Sequence, residues 1–108
     1  MGNEFRISVH KNDQEIHLKL AGDFDGISAH ELIDVLKLCG NRPSRVFVHT
    51  GSLRDIHPFG RSVFHSNLSM LKGRSMNLIF TGEKASQLAP ERALLFDLTI
   101  TIAPPVAV

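Results

Sequence analysis

The chain has 108 residues, of which 43% are hydrophobic and 21% are charged, and its net charge is +1 with histidine neutral. This length and composition are typical of one ordinary globular domain and exclude a disordered or fibrous chain. A net charge near zero and scattered basic residues argue against a surface for nucleic acid. The seven phenylalanines supply all the aromatic rings, and we interpret most of them as core residues.

The amino-terminal residues lack the apolar run of a signal peptide. No apolar stretch approaches the roughly 20 residues of a transmembrane helix, so we expect no membrane insertion and a cytoplasmic location. The single cysteine, Cys39, excludes an internal disulfide.

The first elements are two strands. Residues 5–10 and 15–21 alternate between apolar and polar side chains, which predicts half-buried strands. The polar residues 11–13 between them predict a turn, so the two strands should form an antiparallel hairpin. The glycines and aspartates of 22–26 predict a loop after the second strand.

A helix should follow this loop. Ser28 and Glu31 have the spacing of a capping box, and Ile27 and Leu32 have that of a hydrophobic staple around it. Apolar residues recur at helical spacing, which gives the helix one apolar face. Gly40 is the expected end of the helix, since glycine adopts the left-handed conformation without steric cost.

The middle of the chain predicts a buried strand, a loop and a second helix. Residues 45–49 are short and apolar through their centre, as in a central strand covered on both faces. Residues 50–57 predict a loop. Pro58 suits the first turn of a helix, where its missing N–H is not needed, and Gly73 is the expected helix end.

The last third predicts a strand at 76–80, a short helix at 84–89 and a final short strand at 98–102. Strands that alternate with helices predict an α/β fold, with a mixed sheet of four or five strands and helices packed on it. We expect one domain over residues 1–103 and an extended tail at 104–108.

Three stretches together resemble a known family. LKLAGDFD at 18–25 resembles the second strand of the STAS domain, its Gly-x-hydrophobic-Asp loop and the start of its first helix. VFVHTGSL at 46–53, followed by IHPFG at 56–60, resembles the third strand and the loop that leads into the second helix. GRSMNLIF at 73–80 is similar to the next strand. By order and spacing, residues 5–102 resemble the STAS domain of anti-sigma factor antagonists.

The resemblance implies a non-enzymatic regulatory module that binds a protein. Members usually carry Asp-Ser-Ser-Gly at the start of the second helix, where a partner kinase phosphorylates the first serine and so releases itself. This chain has His57-Pro58-Phe59-Gly60 there. Pro58 occupies the place of that serine and has no hydroxyl, so the usual switch cannot operate. Ser62 is the nearest alternative for phosphorylation, but we expect constitutive binding.

The resemblance also implies where the partner binds, on the loop after the third strand and the start of the second helix. The candidate partner-binding residues are Arg54, His57, Pro58, Phe59, Arg61 and Ser62. Two other interpretations stay open. Phe59 could be a core residue, and the helix start between Arg54 and Arg61 could bind an anion.

No pattern predicts a catalytic, metal or cofactor site. His57 and His65 are eight residues apart, about two helical turns, which is too far to share an ion, and we expect the other histidines to lie on different elements. We interpret Asp23 and Asp25 as residues that make loop and cap hydrogen bonds. The sequence therefore predicts no catalytic residue, no metal and no cofactor.

Several partners fit this interpretation. The first is an anti-sigma factor or another kinase-like protein. The second is a transporter ATPase, for which the chain would be a small cytoplasmic STAS-like accessory subunit, as on a lipid transporter. A third alternative is an anion- or small-ligand-binding domain. The sequence is also compatible with a homodimer.

Overall fold

The computed structural model describes residues 4–39, 45–71, 76–90 and 98–103. The strands are β1 (Arg6–Lys11), β2 (Glu15–Phe24), β3 (Arg45–Ile56), β4 (Met76–Thr81) and β5 (Leu98–Ile102). The α-helices are α1 (Gly26–Lys37), α2 (Pro58–Asn67) and α3 (Ala85–Leu88), and a 3₁₀ helix, Leu68–Leu71, follows α2. Within the described residues, no helix is long and apolar enough to cross a membrane.

The five strands form one mixed sheet in the order β1-β2-β3-β4-β5. β1 pairs antiparallel with β2, and each of the other neighbours pairs parallel. The predicted hairpin and the predicted α/β fold with a mixed sheet are therefore confirmed. Because β2 and β3 are parallel and each leads into a helix, the starts of α1 and α2 lie at the same edge of the sheet.

The core lies between the sheet and the helices. Alternate residues of the central strands are buried on one face, as Leu18, Val48 and Phe80 illustrate. All three α-helices contribute buried side chains to the same cluster, among them Leu32 of α1 and Phe64 of α2. Each such side chain contributes roughly 1.5–3 kcal/mol by leaving water, so this face accounts for most of the apolar burial.

The other face of the sheet carries the intervening residues. His17, Phe47, His49 and Thr81 are half-buried there, and Asn77 is exposed. The prediction that β3 would be covered on both faces is therefore wrong for the described elements, whose helices all contribute to the opposite face.

Two predicted loops are largely strand. β2 continues to Phe24 and β3 to Ile56, and the two strands stay paired through Asp23 and Asp55. β3 accommodates its glycine and polar residues with two irregularities, at each of which it has one more residue than β2. Such bulges let a strand continue through a sequence that has the composition of a loop, because the extra residue leaves the hydrogen-bond ladder. Arg54 is the extra residue at the second bulge.

The cap of α1 is Asp25, so the predicted capping box of Ser28 and Glu31 is wrong. The carboxylate Oδ1 of Asp25 accepts a hydrogen bond from the backbone N–H of Ser28 at 2.9 Å, as an N-cap does. Ser28 is 1% exposed, and its hydroxyl bonds to Asp25 Oδ1 and to the carbonyl of Asp23, both at 3.0 Å. With the cap three residues earlier, Ile27 lies in the first turn and cannot act as the predicted staple.

Pro58 occupies the first turn of α2, as predicted. The α-helix ends at Asn67, whose side-chain amide donates to the carbonyl of Val63 at 2.7 Å, a local bond of the kind that competes with helix continuation. The chain then tightens into the 3₁₀ helix that contains Met70. The predicted helix ends at Gly40 and Gly73 and the predicted tail at 104–108 lie outside the described residues.

Candidate partner-binding site

The starts of α1 and α2 are held against each other at the carboxyl edge of the sheet. The backbone N–H of His57 donates to the carbonyl of Phe24 at 2.9 Å, which ties the end of β3 to the end of β2. A Cβ atom on Gly60 would lie 2.7–2.8 Å from backbone atoms of Asp25. Only glycine permits this approach, so the two helix starts form one unit, which we call the helix-start surface.

All six candidate residues are exposed at or beside the helix-start surface. Arg54 belongs to β3, and the other five follow one another closely at the start of α2. The residues that the structure brings together in this way are Arg54, His57, Pro58, Phe59, Arg61 and Ser62. The predicted core alternative for Phe59 is wrong, because this side chain is 72% exposed.

The ring of Phe59 lies over Gly26 in the first turn of α1. A Cβ atom on Gly26 would meet the Phe59 ring at 2.9 Å and a methyl group of Val63 at 3.9 Å. The next residue of α1, Ile27, is 73% exposed. Two large apolar side chains, one from the first turn of each helix, are thus presented to solvent at the helix-start surface.

Arg54 makes a two-pronged ion pair with Asp23. Its Nε donates to Asp23 Oδ1 at 3.0 Å, and its Nη2 donates to Oδ2 at 3.1 Å. This hydrogen bond from Arg54 lowers the pKa of the Asp23 carboxyl, and the same contact raises the pKa of Arg54. Asp25 makes the predicted cap hydrogen bond, whereas Asp23 lies in β2 and not in the predicted loop, and its carboxylate pairs with the neighbouring strand. Arg54 is therefore a paired cation.

Ile27 is a residue that the sequence interpretation missed. Its environment depends on where α1 begins. A cap at Ser28 would place Ile27 just before the helix, where it would be buried in a hydrophobic staple. The usable signal was Asp25, an equally good cap residue that precedes the apolar positions of the helix. With Asp25 as the cap, Ile27 falls in the first turn on the side away from the sheet.

The sheet face opposite the helices holds a second group of residues that the sequence did not predict. The sequence interpretation separated the histidines because they lie on different strands. In the sheet, His17 is the neighbour of Phe47, and His49 is the neighbour of Lys19 on one side and of Thr81 on the other. His17 Nδ1 and His49 Nε2 are 2.9 Å apart, and the rings of His17 and Phe47 stack with centroids at 4.5 Å.

Within the described parts of the chain, no group of three or more histidine, cysteine or acidic side chains is placed to hold a metal ion. In the pair of His17 and His49, each imidazole already uses both ring nitrogens in contacts with neighbouring side chains. These nitrogens bond to protein groups, and their arrangement is a hydrogen-bond chain, not a set of converging metal ligands.

A comparison of the chain with known protein families finds no matching family. A comparison with curated proteins finds no match either.

Proposed function

We propose that this chain is a non-enzymatic, STAS-like regulatory module of the anti-sigma factor antagonist type, which binds its protein partner through the helix-start surface. One observation carries the proposal: Phe59 is 72% exposed in the first turn of α2, where the resemblance implies that a partner binds. An exposed aromatic side chain on a fixed helix start is the kind of residue on which binding energy concentrates.

The rigidity of the helix-start surface favours binding. Pro58 fixes its own φ, and Gly60 locks α2 against Asp25 with no room for a side chain. The backbone bond from His57 to Phe24 adds a third restraint. A surface that is already ordered loses little conformational entropy when a partner binds, so more of the contact energy appears as affinity.

The chemistry of the surface fits an apolar centre with a charged rim. Phe59 and Ile27 supply the apolar area, and His57, Arg61 and the Arg54–Asp23 pair surround it. Rim charges steer association and select partners more than they add affinity. We therefore infer that the partner presents an apolar pocket for Phe59 with acidic groups near Arg61.

The proposed module lacks the serine switch. Pro58 cannot be phosphorylated, and the exposed Ser62 lies one turn further along α2. We propose that binding is constitutive. A phosphate on Ser62 would add roughly two negative charges beside Arg61, so a stoichiometric phosphate there would argue for a displaced switch.

The anion-binding alternative at the start of α2 is disfavoured by one contact. The sequence analysis places this possible anion between Arg54 and Arg61. In the structure, Arg54 donates both of its described hydrogen bonds to Asp23. The choice between an anti-sigma factor and a transporter ATPase as the partner is left to the test.

The test is site-specific photo-crosslinking in cells of the source organism. A photoreactive phenylalanine analogue replaces Phe59 in one variant and Met70, an exposed residue of the 3₁₀ helix, in a control variant. We expect position 59, and not position 70, to yield one crosslinked protein, and its identity by mass spectrometry names the class of partner. Equal crosslinking at both positions, or none at position 59, would contradict the proposal.

A further inference from the structure

A series of side-chain hydrogen bonds runs across the sheet face opposite the helices. Arg45 Nη2 contacts Glu15 Oε2 at 2.9 Å, and Glu15 Oε1 contacts His17 Nε2 at 3.1 Å. His17 Nδ1 contacts His49 Nε2 at 2.9 Å, and His49 Nδ1 contacts the hydroxyl of Thr81 at 2.6 Å. Three neighbouring strands are therefore joined by one continuous set of polar side chains.

When both imidazoles are neutral, the carboxylate of Glu15 determines which atom donates in each hydrogen bond of the series. The carboxylate, paired with Arg45, only accepts, so His17 Nε2 carries the proton and donates to it. His17 Nδ1 is then an acceptor, and His49 Nε2–H donates to it. His49 Nδ1 is in turn an acceptor, and the hydroxyl of Thr81 donates a hydrogen bond to it.

One added proton on the pair of histidines reverses the direction of the hydrogen bond between His49 and Thr81. If His49 takes the proton, its Nδ1 becomes a donor to the oxygen of Thr81. If His17 takes it, His49 Nε2 becomes the acceptor and the proton of His49 again lies on Nδ1. In both arrangements the Thr81 hydroxyl turns its own hydrogen away from His49. A second proton would place two N–H groups face to face at 2.9 Å, so this geometry accepts one proton.

The Thr81 end of the series opens on a cavity of about 520 Å³, which is within the size range of small-molecule sites. Its polar lining consists of hydrogen-bond donors and of groups that become donors on protonation. These side chains are His10, His17, Lys19, His49, Ser52 and Thr81. Among the residues that the structure describes, no carboxylate lines the cavity, so these residues give it a positive field once the pair holds its proton.

We propose that this cavity binds a small molecule through an oxyanion group, a phosphate, sulfate or carboxylate, and that the His17–His49 pair takes up one proton as the group binds. Lys19 supplies the permanent positive charge, and Thr81 donates its freed hydroxyl hydrogen to the anion. The cavity lies on the face of the sheet opposite the helix core, and the proposal does not depend on the helix-start surface.

The groups around the pair explain why the proton arrives with the anion. Burial lowers the pKa of His49, and the charges of a protonated His17 and of Lys19 lower it further, which disfavours a second proton on the pair. The charged and titratable groups that face the pair from neighbouring strands are Lys19 and Glu15 on β2, His10 on β1 and Arg45 on β3. A bound anion offsets the positive charge of Lys19 and so raises the affinity of the histidine pair for a proton. By linkage, the added proton raises the affinity for the anion by the same factor.

The experiment uses the full chain and follows the imidazole nitrogens of His17 and His49 by NMR. Sulfate and acetate are titrated in separate arms at about pH 6 and about pH 8, because neither anion changes its charge between these values. Sodium chloride at matched ionic strength is the reference. We expect saturable shifts at both rings, with binding at least about ten-fold tighter at the lower pH, since binding is coupled to one proton. The arm with the tighter binding identifies the class of oxyanion.

Three variants sharpen the test. Lys19→Gln should weaken binding about ten-fold. Thr81→Val, which keeps the side-chain shape but removes the hydroxyl donor, should weaken binding and reduce its pH dependence. Lys37→Gln, on α1 away from the cavity, should bind as the unaltered chain does. Shifts no larger than those with chloride, equal affinity at the two pH values, or equal weakening by Lys37→Gln would overturn the proposal. Circular dichroism checks that each variant is folded.

Discussion

Gly60 of α2 lies directly against Asp25, the cap of α1: a Cβ atom on Gly60 would be 2.7 Å from the backbone carbonyl carbon of Asp25. Two successive strand ends are joined at this point, and the exposed side chains of Phe59 and Ile27 depend on it for their relative position. The glycine is therefore a structural requirement of the helix-start surface.

Gly60→Ala should destabilise the protein. Alanine favours a helix over glycine by about 1 kcal/mol, but overpacking against backbone atoms that cannot move aside costs about 2–3 kcal/mol, the upper part of the usual range, so we expect a net loss of about 1–2 kcal/mol. Gly51→Ala is the matched control, because a Cβ atom there meets nothing within 4 Å. The free energy of unfolding is measured by chemical denaturation. A Gly60→Ala variant as stable as the Gly51→Ala variant would contradict the close approach.

Asp25→Ala should lower the free energy of unfolding by about 1 kcal/mol, the usual loss for an N-cap. Asp25→Asn should recover most of that stability, because the amide oxygen can still accept from the N–H of Ser28. The denaturation midpoints of the two variants are compared. If both variants lose the same amount, the carboxylate acts through its charge and not as the cap.

The ion pair between Asp23 and Arg54 should be visible in an acid titration. The pKa of Asp23 lies below its ordinary value of 3.8. Because the folded-state pKa is lowered, the pair stabilises the fold above about pH 3.8 and this contribution is lost as the pH falls through the lower folded value. Carboxyl NMR should show the Asp23 midpoint rising in Arg54→Met. An unchanged midpoint would mean that the pair does not form in solution.

The strand and helix order could be predicted from the sequence because it depends on local periodicity. The alternation at 15–21 predicts β2, and the position of Pro58 predicts the start of α2, as the structure has them. The length of β3 could not be predicted, since Gly51 and Arg54 lie at bulges whose existence depends on pairing with β2.

The two surfaces differ in how far the sequence predicts them. The place of Pro58 predicts the start of α2, but the sequence leaves open whether Phe59 there is exposed or buried. The contact between His17 and His49 depends on parallel register between β2 and β3, which brings together residues 32 positions apart. No local pattern carries that information, so the histidines looked unrelated.

Arg61→Glu should slow association with an acidic partner surface. We expect the association rate to fall about ten-fold at low salt and the difference to shrink as ionic strength rises, because rim charges act mainly through steering. Surface plasmon resonance at two salt concentrations measures this, with Lys37→Glu as the control for total charge. An equal effect of Lys37→Glu would show that the charge of the whole chain, and not the place of Arg61, matters.

The proposal that a partner binds at the first turn of α2 is tested by the affinity of Phe59→Ala for the protein captured at position 59. Titration calorimetry compares the unaltered chain, Phe59→Ala and Met70→Ala. If Phe59 anchors the interface, its truncation should cost about 2 kcal/mol or more, which weakens binding roughly 30-fold, whereas Met70→Ala should leave affinity within about two-fold. Unchanged affinity in Phe59→Ala, with the fold intact by circular dichroism, would show that the partner does not bind through the first turn of α2.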